Sequence, residues 1–234
     1  MKAFYNTDYL RMKNPGNPNY LNKLKNTYNS FNDDELDKAL HTTTNILFHD
    51  IYDIYNQLQI KELTICVIPR SKTNLEKTQL YFLEAVKIAI GNICYEYNEL
   101  DNLIEDGTDY IKRHTNTYTT HLGDKTPNYT NDGSKPYPGI TKDTCHISPE
   151  VKGKHILLID DIYTKNVNID EDAIQALLDN GATSVTFYAV AKTISRKYYE
   201  ELLEDAEEAR HNADIKEWLR QDEMGAWGRE KNRD

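Results

Sequence analysis

The segment from Val151 to Thr193, V-K-G-K-H-I-L-L-I-D-D-I-Y-T-K-N-V-N-I-D-E-D-A-I-Q-A-L-L-D-N-G-A-T-S-V-T-F-Y-A-V-A-K-T, is compatible with few folds. His155 to Ile159 is a short, nearly unbroken apolar run, the pattern of a parallel strand covered on both faces. Asp160 and Asp161 stand where that strand is expected to end. A helix pattern begins near Asn168 to Asp170 and repeats apolar residues at Ile169, Ala173, Ile174, Leu177 and Leu178. Asn180-Gly181 closes it, with Gly181 placed for the left-handed position just past a helix end. Ser184 to Val190, rich in Val, Phe and Tyr, reads as the next strand. Strand, helix and strand in this order make a βαβ unit, and open parallel sheets bind ligands beyond the carboxyl ends of their strands. Chemistry is therefore expected at Asp160 to Asn168.

An earlier stretch repeats the arrangement. Leu63 to Ile68 reads as a strand that ends in Pro69-Arg70-Ser71-Lys72. Thr73 or Asn74 can cap the helix that follows, whose inner side carries Leu75, Phe82, Leu83, Val86 and Ile90. That helix ends at Gly91 or runs on through Ile93 and Tyr97. A strand, a polar and basic loop and a capped helix together offer backbone N–H groups and a helix N-terminus to an anion. A plain strand-to-helix turn with Arg70 and Lys72 in solvent is the rival reading.

The rest of the chain divides by character. Residues 1–32, rich in Asn, Tyr and Lys and broken by Pro15-Gly16 and Pro18, read as an extended lead-in or a packed arm. Asp33 and Asp34 open a helix through Leu36, Ala39 and Leu40, followed by a stripe at Ile46, Leu47, Ile51, Ile54 and Leu58. His41, His49, Asp50 and Asp53 lie along this pattern, but no closing ligand spacing accompanies them, which favours a solvated helix face over a metal site. Asp101 to Cys145 is rich in Gly, Pro, Thr, Asn and Tyr, with one short strand signal at Tyr110 to Lys112. So long an irregular segment is either a structural loop or a lid over a site. Beyond Thr193 a charged tail keeps helical spacing at Tyr198, Tyr199, Leu202, Leu203, Ala206 and Ala209, and the Trp218 and Trp227 region offers a contact for a second subunit in a homodimer. The expected organisation is an arm and helix over 1–45, an α/β core over 46–195 with an irregular insertion at 101–145, and a charged helical tail over 196–234.

Composition narrows function. At 234 residues with a net charge of −10, the chain can bury a core without staples, and its acidity argues against nucleic-acid backbone binding. Cys66, Cys94 and Cys145 are far apart and lack metal or redox spacing, which suits reduced thiols in a cytoplasm. Cys145-His146 is a nucleophile and base by type, but adjacency does not aim two side chains at one another. Met1-Lys2 is followed by Asn6, Thr7 and Asp8 rather than an apolar run, so no secretory leader is expected, and no apolar run is long enough for a membrane span. A cytoplasmic location without membrane partners follows as the expectation.

The apolar strand, the D-D pair, an aliphatic residue, any residue, Thr and a short loop into a helix resemble the ribose-phosphate motif of type I phosphoribosyltransferases. The V-K-G-K turn before it and D-N-G-A-T-S-V after it are similar to that family as well. Lys112-Arg113-His114-Thr115 resembles the basic strand end before the mobile catalytic loop of the competence-protein-like (amidophosphoribosyltransferase-like) members. This chain continues T-N-T-Y-T-T-H-L-G-D-K, without the Gln and Arg-rich run typical there. The resemblance implies a central, mostly parallel sheet with flanking helices, here with helical N- and C-terminal extensions, and a place in nucleotide metabolism. It implies phosphoribosyl pyrophosphate, or a nucleotide built on ribose 5-phosphate, as ligand, and transfer of the phosphoribosyl group to a nitrogen acceptor.

Site roles follow from the resemblance. Asp160 and Asp161 would hold the ribose hydroxyls, directly or through magnesium-bound water, since ionised carboxylates accept from O–H donors. Ile162, Tyr163, Thr164, Lys165, Asn166, Val167 and Asn168 would wrap the 5-phosphate. Pro69, Arg70, Ser71 and Lys72 would face the pyrophosphate, with Arg113 as a further contact. Mg2+ would be held chiefly by the substrate's own oxygens. The family loop reads T-T-G-x-T or T-x-G-x-S, whereas here it is T-K-N-V-N; Asn166 stands for the glycine and tolerates positive φ, and Asn168 replaces the closing hydroxyl with an amide donor. Asp170, Glu171 and Asp172 would oppose a phosphate if they pointed inward. The altered loop keeps two other readings open: a module that senses a nucleotide or sugar phosphate without turnover, and an accessory protein of DNA uptake or defence.

Overall fold

The computed structural model describes residues 2–10, 14, 16–26, 30–119, 131–133, 139–165, 168–210 and 213. The chain forms two compact units, Met1–Thr193 and Ile194–Asp234. The first is α/β, with five parallel strands in one sheet: β1 (Ala3–Tyr9), β2 (Leu63–Val67), β3 (Ile104–Asp106), β6 (His155–Tyr163) and β7 (Ser184–Thr193). Their order across the sheet is β1-β7-β6-β2-β3, and β4 (Ile111–Arg113) pairs antiparallel with β5 (Cys145–Ile147) beside it. The helices are α1 (Asn19–Leu24), α2 (Asp33–Leu58), α3 (Lys77–Glu96) and α4 (Ile169–Asp179).

Two apolar layers cover the sheet, as a parallel sheet requires. One gathers Leu157 and Ile159 of β6 with Leu47 and Ile51 of α2 and Phe82, Val86 and Ile93 of α3. The other gathers Ile156 and Leu158 of β6 with Ala173, Ile174 and Leu177 of α4 and Cys145 of β5. Alternate residues of a strand face opposite sides, so odd positions of β6 feed the first layer and even ones the second.

Several boundaries differ from the sequence reading. β6 does not stop at Ile159 but continues to Tyr163, because β7 also runs on past Val190 and keeps pairing, with Asp160 beside Ala189 and Tyr163 beside Lys192. Neither Thr73 nor Asn74 caps α3, which starts at Lys77 behind Glu76 without a side-chain cap; Thr73 instead is held by Asn116, whose Oδ1 accepts from its backbone N at 2.8 Å. The helix passes Gly91 and ends at Glu96. α2 is one helix through residue 45, started by a capping box in which Asn32 accepts from Glu35 N and Glu35 accepts from Asn32 N. The lead-in is β1 followed by α1, and the 101–145 segment contributes β3 to the main sheet as well as β4. At the end of α4, Gly181 has φ 92° and the helix closes through Ala182 N to Leu177 O at 3.1 Å and Gly181 N to Leu178 O at 2.9 Å, the Schellman arrangement expected of Asn180-Gly181.

In the second unit residues 196–210 are helical, with ion pairs Arg196–Glu200 and Lys197–Glu201 one turn apart and with Tyr198, Leu202 and Leu203 exposed. Trp218 and Trp227 lie outside the described residues. Among the described residues no helix is long and apolar enough to cross a membrane.

Candidate functional site

The chain leaves β2 through α3 towards β3 on one side, and leaves β6 through α4 towards β7 on the other. The gap between β2 and β6 is therefore the switch point of the sheet, where open α/β folds place a crevice. β2 pairs with β6 only as far as Val67 beside Ile159, with one further bond from Ile68 N to Ile159 O at 3.0 Å. Asp160 to Tyr163 extend beyond that point alongside β7, and Asp161 meets Arg70 of the Pro69–Lys72 loop.

Alternation sends the two aspartates to opposite faces. Asp161 follows Leu157 and Ile159 to the α2–α3 side. It is 3% exposed, yet two cations reach it: Lys25, the residue after α1, bonds its Oδ1, and Arg70 Nη2 lies 3.3 Å from its Oδ2. Burial opposes its ionisation, but Lys25, Arg70 and the Ile162 N–H outweigh burial and hold the carboxyl down at about 2, against an ordinary 3.8.

Asp160 follows Ile156 and Leu158 to the α4 side, where its carboxyl meets that of Asp170 in the first turn of α4. Asp160 is partly exposed, whereas Asp170 is 4% exposed and its Oδ1 is buried without a donor among the described residues. Loss of hydration raises the Asp160 carboxyl well above its usual range, and the neighbouring Asp161 and Asp170 push the same way. Burial likewise raises Asp170 to about 6, against the lowering effect of the hydrogen bond with Asp160. Two bare carboxylates in contact repel, which favours a proton held between them. The other acids of that turn are engaged elsewhere: Tyr163 OH donates to Glu171 at 3.1 Å, and Asp172 lies against Gly139, where an added Cβ would come within 2.0 Å of its Oδ2.

The Pro69–Lys72 loop is tied down on every side. Arg70 donates to Thr78 Oγ1 at 2.9 Å and to Leu24 O, and its guanidinium pairs with Glu76 as well as Asp161. Arg113, buried at the end of β4, donates through Nε to Arg70 O and so positions the loop. Ser71 Oγ is 2.6 Å from Thr119 Oγ1, and Ser71 O accepts from Thr117 N. Lys72 donates to Thr117 O and pairs with Asp132 at 2.6 Å. Pro69 is partly exposed at the start of this loop. The 101–145 segment thus supports the loop from above through residues 116–119 and 132.

Past β6, Ile162 is buried in the core, and the Thr164 hydroxyl is 2.9 Å from that of Thr193. Lys165 and Asn168 are exposed; Asn166 and Val167 lie outside the described residues. Asn168 carries an unusual backbone: φ is 56° at the N-cap of α4, a conformation Asn adopts more readily than most residues. Cys145 and His146 point to opposite faces of β5, one buried and the other exposed, and so make no catalytic pair. Asp50 accepts from the buried Tyr188 hydroxyl at 2.5 Å.

Sequence reasoning missed Lys25, which is 136 positions from its partner in a stretch without periodicity. It noted Asp170 only as a helix-end acid. The signal was present, since Asp170 shares the inner stripe with Ala173, Ile174 and Leu177. Among the described residues no cluster of three or more His, Cys, Asp or Glu is placed to hold a metal ion, so Mg2+ would lean on the substrate's own oxygens. Among the described residues the Asp160–Asp170 pair has no ion pair of its own and feels Lys25 only at a distance, whereas Asp161 is already neutralised by Lys25 and Arg70. No protein-family model matches the chain, and comparison with curated proteins gives no match.

Proposed function

We propose that the crevice between β2 and β6 binds phosphoribosyl pyrophosphate, or a nucleotide containing ribose 5-phosphate, and transfers its phosphoribosyl group to a nitrogen acceptor. The observation that carries this reading is that the end of β6 at the switch point presents Asp160 to the first turn of α4 on one face and Asp161 to the basic loop after β2 on the other. In this reading Asp160 accepts from the ribose hydroxyls, while Asp161 acts indirectly by fixing Lys25 and Arg70. The backbone N–H groups of Thr164 to Asn168 and the N-terminus of α4 take the 5-phosphate. At that end Glu171 accepts from the Tyr163 hydroxyl. Lys25 and Arg70 form the positive wall facing the pyrophosphate. Mg2+, held by substrate oxygens and by Asp160 through water, would neutralise charge on the departing pyrophosphate.

The transfer itself requires little covalent chemistry from the protein. The acceptor nitrogen bonds to C1 of the ribose as the C1–O bond breaks, and pyrophosphate leaves with the electron pair. Positioning and charge stabilisation supply the acceleration. Titration calorimetry with phosphoribosyl pyrophosphate and Mg2+ tests the reading. Binding by the wild type that weakens at least tenfold in Asp160→Asn is expected, and no heat at millimolar ligand would refute it.

One observation favours a second reading, a sensor that binds without turnover. Arg70 and Lys72 are already engaged by Asp161, Glu76 and Asp132, so a ligand must compete with internal anions for them. Phosphorus NMR separates the two readings. Release of pyrophosphate in the presence of candidate nitrogen acceptors removes the sensor reading, and binding without release supports it.

A further inference from the structure

The two edges of the sheet are treated differently. The β3 edge is only Ile104–Asp106, with acids at Glu105 and Asp106, the short and charged form that discourages pairing. The β1 edge is seven residues long, Ala3–Tyr9, with no proline and a single charge, Asp8. Its hydrogen-bonding polarity can be read from its inner partner. Phe187 N donates to Lys2 O, and Ala3 is in register with Phe187. Even-numbered residues of β1 therefore direct their backbone groups to β7, and Ala3, Tyr5, Thr7 and Tyr9 direct theirs to the open edge.

We propose that β1 is the contact between two copies of this chain, which pair antiparallel through it about a two-fold axis at Tyr5. In this register Tyr5 faces its counterpart, and Ala3 faces Thr7. These are the residues with outward backbone groups, so both become hydrogen-bonded pairs. The intervening even positions become close, non-bonded pairs, and Lys2 of each copy then lies opposite Asp8 of the other. Side chains opposite one another in an antiparallel pair share a face, so the opposite charges meet at both ends of the contact.

Charge selects this register. Moving the axis by one residue keeps the hydrogen-bonding parity but places Asp8 against Phe4. Among the described residues Asp8 also has no cation paired with it. Its Oδ1 is buried with no hydrogen-bond partner among the described residues, and its neighbour on β7, Lys192, extends its ammonium over the Tyr5 ring at 5.0 Å from the centroid. Tyr5 is 51% exposed, and at the axis two such rings cover each other. The closed two-fold arrangement satisfies the edge and continues the sheet across two subunits.

Sedimentation velocity of the full chain across micromolar concentrations tests the contact. A dimer is expected. Thr7→Pro removes an outward N–H that has no partner within the sheet, and is expected to give a monomer with unchanged circular dichroism. Lys2→Asp and Asp8→Lys are each expected to raise the dimer dissociation constant about tenfold, since each turns two attractive cross-strand pairs into repulsive ones. The double variant Lys2→Asp/Asp8→Lys is expected to restore it. A monomer throughout the range, a dimer that survives Thr7→Pro, or a double variant no tighter than the single ones would each overturn the proposal. None of these outcomes depends on ligand binding in the crevice.

Discussion

Asp170→Asn is expected to stabilise the protein at mildly alkaline pH, although it removes a buried charged side chain. Asp170 is 4% exposed, and its carboxyl is raised from 3.8 to about 6. Between those values the unfolded chain has released a proton that the folded protein still holds. The stability contributed by this group is complete below about pH 4 and is lost as pH rises through 6. A difference of about 2 units at roughly 1.36 kcal/mol each is about 3 kcal/mol by pH 8. For a folded unit of this size that corresponds to roughly 6–12 °C in melting temperature. Asparagine cannot ionise, and its amide can donate to Asp160 in place of the shared proton. Melting followed by circular dichroism should show the wild type falling by about half that amount between pH 5 and pH 8, the other half being lost between pH 3 and pH 5. Asp170→Asn should change much less and exceed the wild type at pH 8. A flat wild-type profile, or a variant less stable than the wild type at pH 8, would refute the shared-proton account of this pair.

Other perturbations follow from the same geometry. Arg70→Ala leaves the part-buried Glu76 without its cation, Asp161 with Lys25 alone and Leu24 O and Thr78 without their donor, and is expected to cost about 3–5 kcal/mol by denaturant titration, whereas Lys25→Met leaves Arg70 on Asp161 and should cost about 1–3 kcal/mol; equal losses would contradict the unequal roles assigned to them. Asp161, held at about 2, contributes stability that is present above 3.8 and lost as pH falls towards 2. In acid titration, Asp161→Asn should therefore lose less stability than the wild type over that interval. Gly181→Ala, at φ 92° and with Lys152 Cγ 3.2 Å from the new Cβ, should cost about 1 kcal/mol.

The β6–α4–β7 unit was legible in the sequence because each element carries its own period and its own stop signal. Asn180-Gly181 closes α4 through local hydrogen bonds, and such signals need no knowledge of the rest of the chain. The end of β6 was not legible. Two aspartates look like the end of an apolar strand, but β7 continues beside them, and Lys25 and Arg70 neutralise the buried one. Alternation alone was enough to separate Asp160 from Asp161, once the strand was known to continue through both. β1 was hidden for the reason it is an edge: Asn6, Thr7 and Asp8 need cover on one side only. The Pro69–Lys72 loop was found by its basic residues, but its internal partners at 116–119 and 132 lie in a segment without periodicity.

The central claim is that a phosphorylated ribose with its magnesium occupies the crevice beside Asp160. Calorimetry of phosphoribosyl pyrophosphate with Mg2+ at pH 6, repeated in two buffers of different ionisation enthalpy, counts the protons released on binding. A ligand that brings cationic charge or hydroxyl donors to Asp160 must displace the proton shared with Asp170. The expected result is saturable binding with net proton release, absent in Asp170→Asn. Binding with equal heats in both buffers, or no binding at millimolar ligand, would contradict it.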